Sequence, residues 1–239
     1  MHSASSIPAG TINNLVDILT SPGEAFQALK ERPTFLVPLL AVILSNVALI
    51  FWYYSQVDYV WLIETTIAQQ DLPDDVREQI VENAADASPM VTGSLAAAAA
   101  SVMVLLMLAL MAAYLVIVSF VTNDGYRFKH WFSLVSWSSI PIVVAMLAST
   151  VNLAVSESAH LPQQELNPLS FANLLALDVS GGGLLAGVLQ AVDLTSVWAL
   201  GLMVIGYRTW TGKSLGSSFL TVAAPLLVIV AVSILFAVV

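Results

Sequence analysis

Apolar residues in this chain fall into long, almost unbroken runs separated by short polar stretches. Five runs reach the roughly 20 residues that a helix needs to cross a bilayer core of about 30 Å. They are 35–54, 97–121, 130–155, 183–206 and 216–239. The pattern predicts an all-α fold, a polytopic membrane helix bundle with five transmembrane helices. Pro141 and Pro225 lie inside runs and predict kinks, because neighbouring helices can satisfy the freed carbonyls.

The polar stretches have patterns of their own. Residues 1–34 form an amphipathic N-terminal segment with no cleavable signal peptide visible. In it Ile12, Leu15, Val16 and Leu19 recur at helical spacing as one apolar stripe. A second helix is expected to start at "SPGE", with Ser21 as cap, Pro22 in the first turn and Glu24 closing a capping box. This pair of helices either lies in the membrane interface or packs against the ends of the spans. Residues 55–95 form a long loop in which "LPDDVREQIVENAADASP" reads as a helix, with Val76, Ile80 and Ala84 on one side. That helix is either a solvated connector or a docking lid. The membrane domain is thus 35–239.

Charge sets the orientation. Of seven Lys and Arg residues, Lys30, Arg32, Arg127, Lys129, Arg208 and Lys213 flank the spans on one side, and only Arg77 falls on the other. Basic loops stay in the cytoplasm, so the N-terminus is expected there and the C-terminus outside. The formal net charge of −9 is concentrated in the first external loop, from Asp58 to Asp86. Aromatic residues at the span ends (Trp52, Tyr53, Tyr54, Tyr126, Trp131, Tyr207, Trp210) read as an interfacial belt. With 58% hydrophobic and 10% charged residues, a soluble domain is excluded. The partners implied are the lipid bilayer and either another membrane protein or a second copy of the chain, with no nucleic acid.

Candidate chemistry is sparse. The chain has no cysteine, which removes disulfides, thiolate metal sites and cysteine nucleophiles. His2, His130 and His160 do not cluster, and no set with metal-ligand spacing or cofactor signature is present. "GYRTWTGKS" approximates a phosphate-binding loop but has five residues where the pattern needs four, and follows a membrane helix, so nucleotide binding is not expected. "GKSLG" has the spacing of a hydrolase elbow without its strand–turn–helix setting.

Asp193 is the one ionisable residue deep in a predicted span. An isolated charge at that depth costs several kcal/mol. Gln190 and Ser196 stand three residues to either side, so the three should form a polar stripe facing other helices. Asn46 on the first span has matching depth and is the expected hydrogen-bond partner. Asp193 is thus read as a hydrogen-bonded structural carboxyl, with an ion or proton site as the alternative.

Three stretches resemble the Yip (Ypt/Rab-interacting protein) family of five-span integral membrane proteins. "LTSPGEAFQALKERPTFLVPLL" carries Pro22, Phe26 and Pro33; "YRFKHWFSLVSWSSIPIVV" enters a span and reaches Pro141; "VDLTSVWALGLMVIGYRTWTGKSLGSSF" carries Asp193, Trp198 and Gly212. The resemblance covers nearly the whole chain. The Asp-Leu-x-Gly-Pro and Gly-Tyr…Pro signatures of the eukaryotic trafficking branch are not evident, so the chain is similar to a prokaryotic-type member of a bacterial cytoplasmic (inner) membrane. The resemblance implies a non-catalytic protein that organises or binds other membrane components. The alternatives are a small transporter or ion pathway centred on Asp193 and, with less support, an intramembrane enzyme.

Overall fold

A computed structural model describes residues 9–68, 70, 72–156, 158–177 and 183–238. Among the described residues the fold is all-helical. The helices are α1 (Ala9–Thr20), α2 (Pro22–Glu31), α3 (Leu36–Gln56), α4 (Tyr59–Ala68), α5 (Asp74–Asp86), α6 (Pro89–Thr122), α7 (Phe128–Ser138), α8 (Pro141–Val155), α9 (Gln163–Leu166), α10 (Phe171–Leu174), α11 (Gly183–Ala191), α12 (Leu194–Thr211) and α13 (Leu215–Val238). Among the described residues four stretches are long and apolar enough to cross a membrane: Leu36–Gln56, Pro89–Thr122, Phe128–Val155 and Leu215–Leu235.

Two expected spans differ in form. The 130–155 run is two helices, because Pro141 has no N–H to donate to a preceding turn and starts α8 instead of bending through it. The 183–206 run is also two helices, α11 and α12, parted at Val192 and Asp193. There the backbone bonds leave the helical ladder. Phe171 N–H donates to the Val192 carbonyl (3.0 Å), and Leu194 N–H donates to the Leu169 carbonyl (3.2 Å). The second run starts earlier than expected, with Pro89 as the first residue of α6. At 34 residues α6 is about 50 Å long, well beyond a bilayer core.

The chain divides into two compact units. The first comprises Met1–Val42, Leu105–Ile142 and Ser196–Ile229. Its centre is α7, buried continuously from Trp131 to Ser138, as a helix enclosed on all sides must be. α1 pairs with α2, and α2 packs on α7. Ile18 of α1 is fully buried, whereas Val16 and Leu19 are exposed, so the inward face is rotated from the expected stripe; no side-chain placement is described for Ile12. Pro22 opens α2 as expected, but the Ser21 side chain makes no cap bond. The Ser21 carbonyl instead accepts from the N–H groups of Glu24 and Ala25, both at 3.1 Å.

The second unit comprises Ile43–Val104, Val143–Thr195 and Val230–Val239. Tyr53, Val57, Leu62 and Leu153 form its buried cluster, with Trp61, Leu161 and Leu166 packed around them. Gly93 lets α6 close on α3, since a Cβ there would lie 3.0 Å from the Tyr54 Cβ. α5 forms where the sequence predicts a helix and packs on α4. α4 is not anticipated by the hydropathy pattern. Its start is marked by Asp58, whose Oδ1 accepts the Trp61 N–H at 3.1 Å.

Candidate functional site

In the second unit, Asp193 occupies the N-cap position of α12, directly before Leu194, where a short acidic side chain is favoured. It is 6% exposed. Asn167 Nδ2 donates to Oδ2 at 2.8 Å, and Thr195 Oγ donates to Oδ1 at 2.8 Å. Asn167 is itself held: its Oδ1 accepts the Leu169 N–H (3.0 Å) and its carbonyl accepts from Asn173 Nδ2 (2.8 Å). Ser170 pairs with Asp193 through the backbone as an isolated antiparallel bridge. The Ser170 Oγ caps α10 by accepting the Asn173 N–H. Asn152 Nδ2 ties the same loop to α8 through the carbonyls of Glu165 (2.8 Å) and Leu166 (3.2 Å). Asp193 is thus a knot between a polar loop and the start of a helix.

This arrangement replaces the one expected from spacing. Gln190 lies on α11 and Ser196 on α12, so the break at Val192 and Asp193 parts Gln190 from the other two residues of the expected stripe. Asn46 does not take up Asp193. Its Nδ2 lies 3.8 Å from Met146 Sδ, and its buried Oδ1 has no hydrogen-bond partner among the described residues. The asparagine that serves Asp193 comes from a loop, and depth matching between spans had no access to it.

In the first unit, most of the residues read as an interfacial belt form a core. Trp131 and Tyr207 are fully buried and Trp210 is 3% exposed. Trp131 stacks on Tyr207 with ring centroids 5.5 Å apart, and Tyr126 meets Trp131 edge-on at 5.3 Å. This cluster seats α2. Trp210 Nε1 donates to the Phe26 carbonyl (2.7 Å), while the Trp210 carbonyl accepts from Tyr126 Oη (2.7 Å) and Lys30 Nζ (3.2 Å). Phe26 lies against α12 at Gly206, where a Cβ would come within 2.9 Å of its ring. Just beyond Pro33, the Thr34 carbonyl accepts from Ser133 Oγ (2.6 Å) and Trp137 Nε1 (2.8 Å).

Gly212 follows α12 with φ +70, the left-handed region that glycine adopts without steric cost, and its N–H donates to the Arg208 carbonyl. Lys213 then reaches Tyr207 Oη (3.0 Å) and Asp124 Oδ2 (3.4 Å). Burial pushes the Lys213 ammonium down, but the Tyr207 hydroxyl and the Asp124 carboxylate outweigh it and leave the pKa above the ordinary lysine value. Trp198 is 40% exposed on α12. His130 is half-buried beside Tyr126 and Trp210, with ring centroids 5.8 and 6.3 Å away. Among the described residues no group of three His, Asp or Glu could hold a metal ion.

The family model described as Yip1 domain matches residues 16–237. No curated protein and no solved structure matches the chain.

Proposed function

The chain belongs to the Yip1 domain family, and from that membership we propose that it is a non-catalytic integral membrane protein that organises or binds other membrane components. On this reading it crosses a bacterial inner membrane five times, with the N-terminus in the cytoplasm. The crossing added to the four apolar stretches, fourth in chain order, is α12, whose 18 residues give a length of about 27 Å, close to the bilayer core. The six-to-one distribution of basic residues supports the orientation. The amphipathic segment 1–34 and the membrane domain 35–239 then act together, because α2 is seated on the aromatic cluster around Trp210. Pro22, Phe26 and Pro33 of that segment, with Pro141, Asp193, Trp198 and Gly212 of the membrane domain, are the positions that carry the resemblance to the family.

The observation that carries a non-catalytic, non-conducting role is the state of Asp193. Both carboxyl oxygens are engaged by Asn167 and Thr195, and the side chain is buried. A transport pathway needs ionisable groups facing a wet interior. Within the four apolar stretches, Lys129, near the start of Phe128–Val155, is the only Asp, Glu, Lys or Arg.

The test combines proteoliposomes with crosslinking in native membrane and mass spectrometry. The expected result is no Asp193-dependent proton or ion flux, together with a reproducible crosslink to one membrane protein or to a second copy. A flux abolished equally by Asp193→Asn and Asp193→Leu in folded protein would replace this reading with transport. For topology, reporter fusions after Lys129 and Lys213 should read cytoplasm, and one after Asp86 outside. A cytoplasmic signal after Val239 would overturn the five-span count.

A further inference from the structure

We propose that α12 and α13 carry a site for one anionic phospholipid, with an acyl chain in an apolar groove between them and the phosphate at Arg208 and Lys213. The groove has a volume of about 580 Å³, and its walls include Val197, Gly201, Ile205, Leu215, Gly216 and Phe219. A second cavity of about 620 Å³ holds Arg208, Thr209, Gly212, Lys213 and Ser214, and shares Ile205 and Leu215 with the groove. Both volumes fall in the range of small-molecule sites. An apolar channel that opens onto a cationic end is the shape of an amphiphile with an anionic head.

The charges define the head. Arg208 is exposed and pairs with no carboxylate among the described residues, whereas Lys213 shares its charge with Asp124 at 3.4 Å. One net positive charge therefore faces the cavity, which matches a single phosphodiester. The N-terminal end of α13, which begins at Leu215, adds partial positive charge beside Ser214. A free phosphate would leave the groove empty, and an apolar partner helix would gain nothing from Arg208.

The groove owes its depth to missing side chains. A Cβ added at Gly201 or at Gly216 would meet nothing within 4 Å. Each glycine can therefore be replaced by a side chain that fills the groove.

Native mass spectrometry of the full chain, with phosphatidylglycerol and phosphatidylcholine of identical acyl chains, tests the site. Wild type should retain one phosphatidylglycerol in preference to phosphatidylcholine. Arg208→Gln should weaken phosphatidylglycerol binding about fivefold, the effect of one basic residue near an anionic surface, and leave phosphatidylcholine unchanged. Gly201→Leu should weaken both lipids; Gly216→Leu fills the groove from the facing helix and gives the same readout if the first variant does not fold. Excess glycerol phosphate should not displace the lipid. The proposal is overturned if wild type binds the two lipids equally, if either variant class binds like wild type, or if glycerol phosphate displaces the lipid completely.

Discussion

Replacing Asp193 by Asn and by Leu separates hydrogen bonding from charge at the knot. In wild type, Oδ2 accepts from Asn167 and Oδ1 from Thr195. An Asn side chain can still accept from Asn167 through its oxygen, and its amide can donate to the Thr195 hydroxyl, which is able to accept. Asn is also a good N-cap. Asp193→Asn should therefore cost under about 1 kcal/mol. Leu fills similar space but keeps none of these bonds. Residue 193 directly precedes α12, a position where exchanging Asp for an apolar residue costs about 1 kcal/mol. Leaving buried polar partners unsatisfied costs a further 1–3 kcal/mol or so, and Thr195 is 3% exposed. Asp193→Leu should thus lose about 2–4 kcal/mol. Thermal unfolding in nanodiscs, read by circular dichroism, measures the order of the variants, and hydrogen exchange over 161–177 locates the damage. Equal destabilisation by Asn and Leu would refute the argument, because it would mean that the negative charge, not the pair of accepted bonds, holds the loop.

Four further outcomes follow from other contacts. Phe26→Ala empties a fully buried site and should cost about 3–5 kcal/mol, seen as faster hydrogen exchange across residues 22–31. Gly206→Ala places a Cβ against the Phe26 ring and should destabilise the same segment by about 1–3 kcal/mol, measured by thermal unfolding. Ile18→Ser should remove roughly 1.5–3 kcal/mol of burial, while Leu19→Ser, on the exposed side of α1, should leave exchange of α1 in detergent unchanged. The Asp58 carboxyl is held below its ordinary range chiefly by the Trp61 N–H, against a smaller opposing effect of burial and with added help from His160. Its contribution is complete above the ordinary aspartate value of about 3.9 and is lost as pH falls through the lower folded value. Asp58→Asn should flatten that acid limb in a pH series of melting temperatures.

Hydropathy made the helical class legible because crossing a bilayer is a length requirement on apolar residues, and it acts within each segment. The runs at 35–54 and 216–239 correspond closely to α3 and to the described part of α13. α5 was legible from Pro73, Asp74 and Asp75 at its start. α4 was not, because its buried positions Leu62 and Ile67 do not form a regular stripe with its exposed ones. The N-terminal stripe shows a related limit. Ile12, Leu15, Val16 and Leu19 satisfy helical periodicity, yet among the α1 residues whose burial is described, 15–20, the buried one is Ile18, and periodicity alone does not rank two adjacent apolar faces.

The two polar sites depend on partners that no window of sequence contains. Trp131, Tyr207 and Trp210 have the composition of an interfacial belt, and a belt and a buried cluster differ only in what stands opposite them. What turns these rings inward is α2, through the Trp210 bond to the Phe26 carbonyl and the gap left by Gly206. The closeness of "SPGEAF" to a family pattern was visible, but its docking on residues about 180 positions away was not. Asp193 makes the same point from the other direction. Its chemistry correctly demanded hydrogen bonds, and spacing then proposed a partner on another span. The chain instead breaks its own helix and uses Asn167, from a loop that hydropathy discards as a connector. A buried carboxyl in an apolar run is therefore better read as a demand for donors than as a position on a helix. The cheapest donors can be those of an adjacent loop, provided a new helix begins where the carboxyl can cap it.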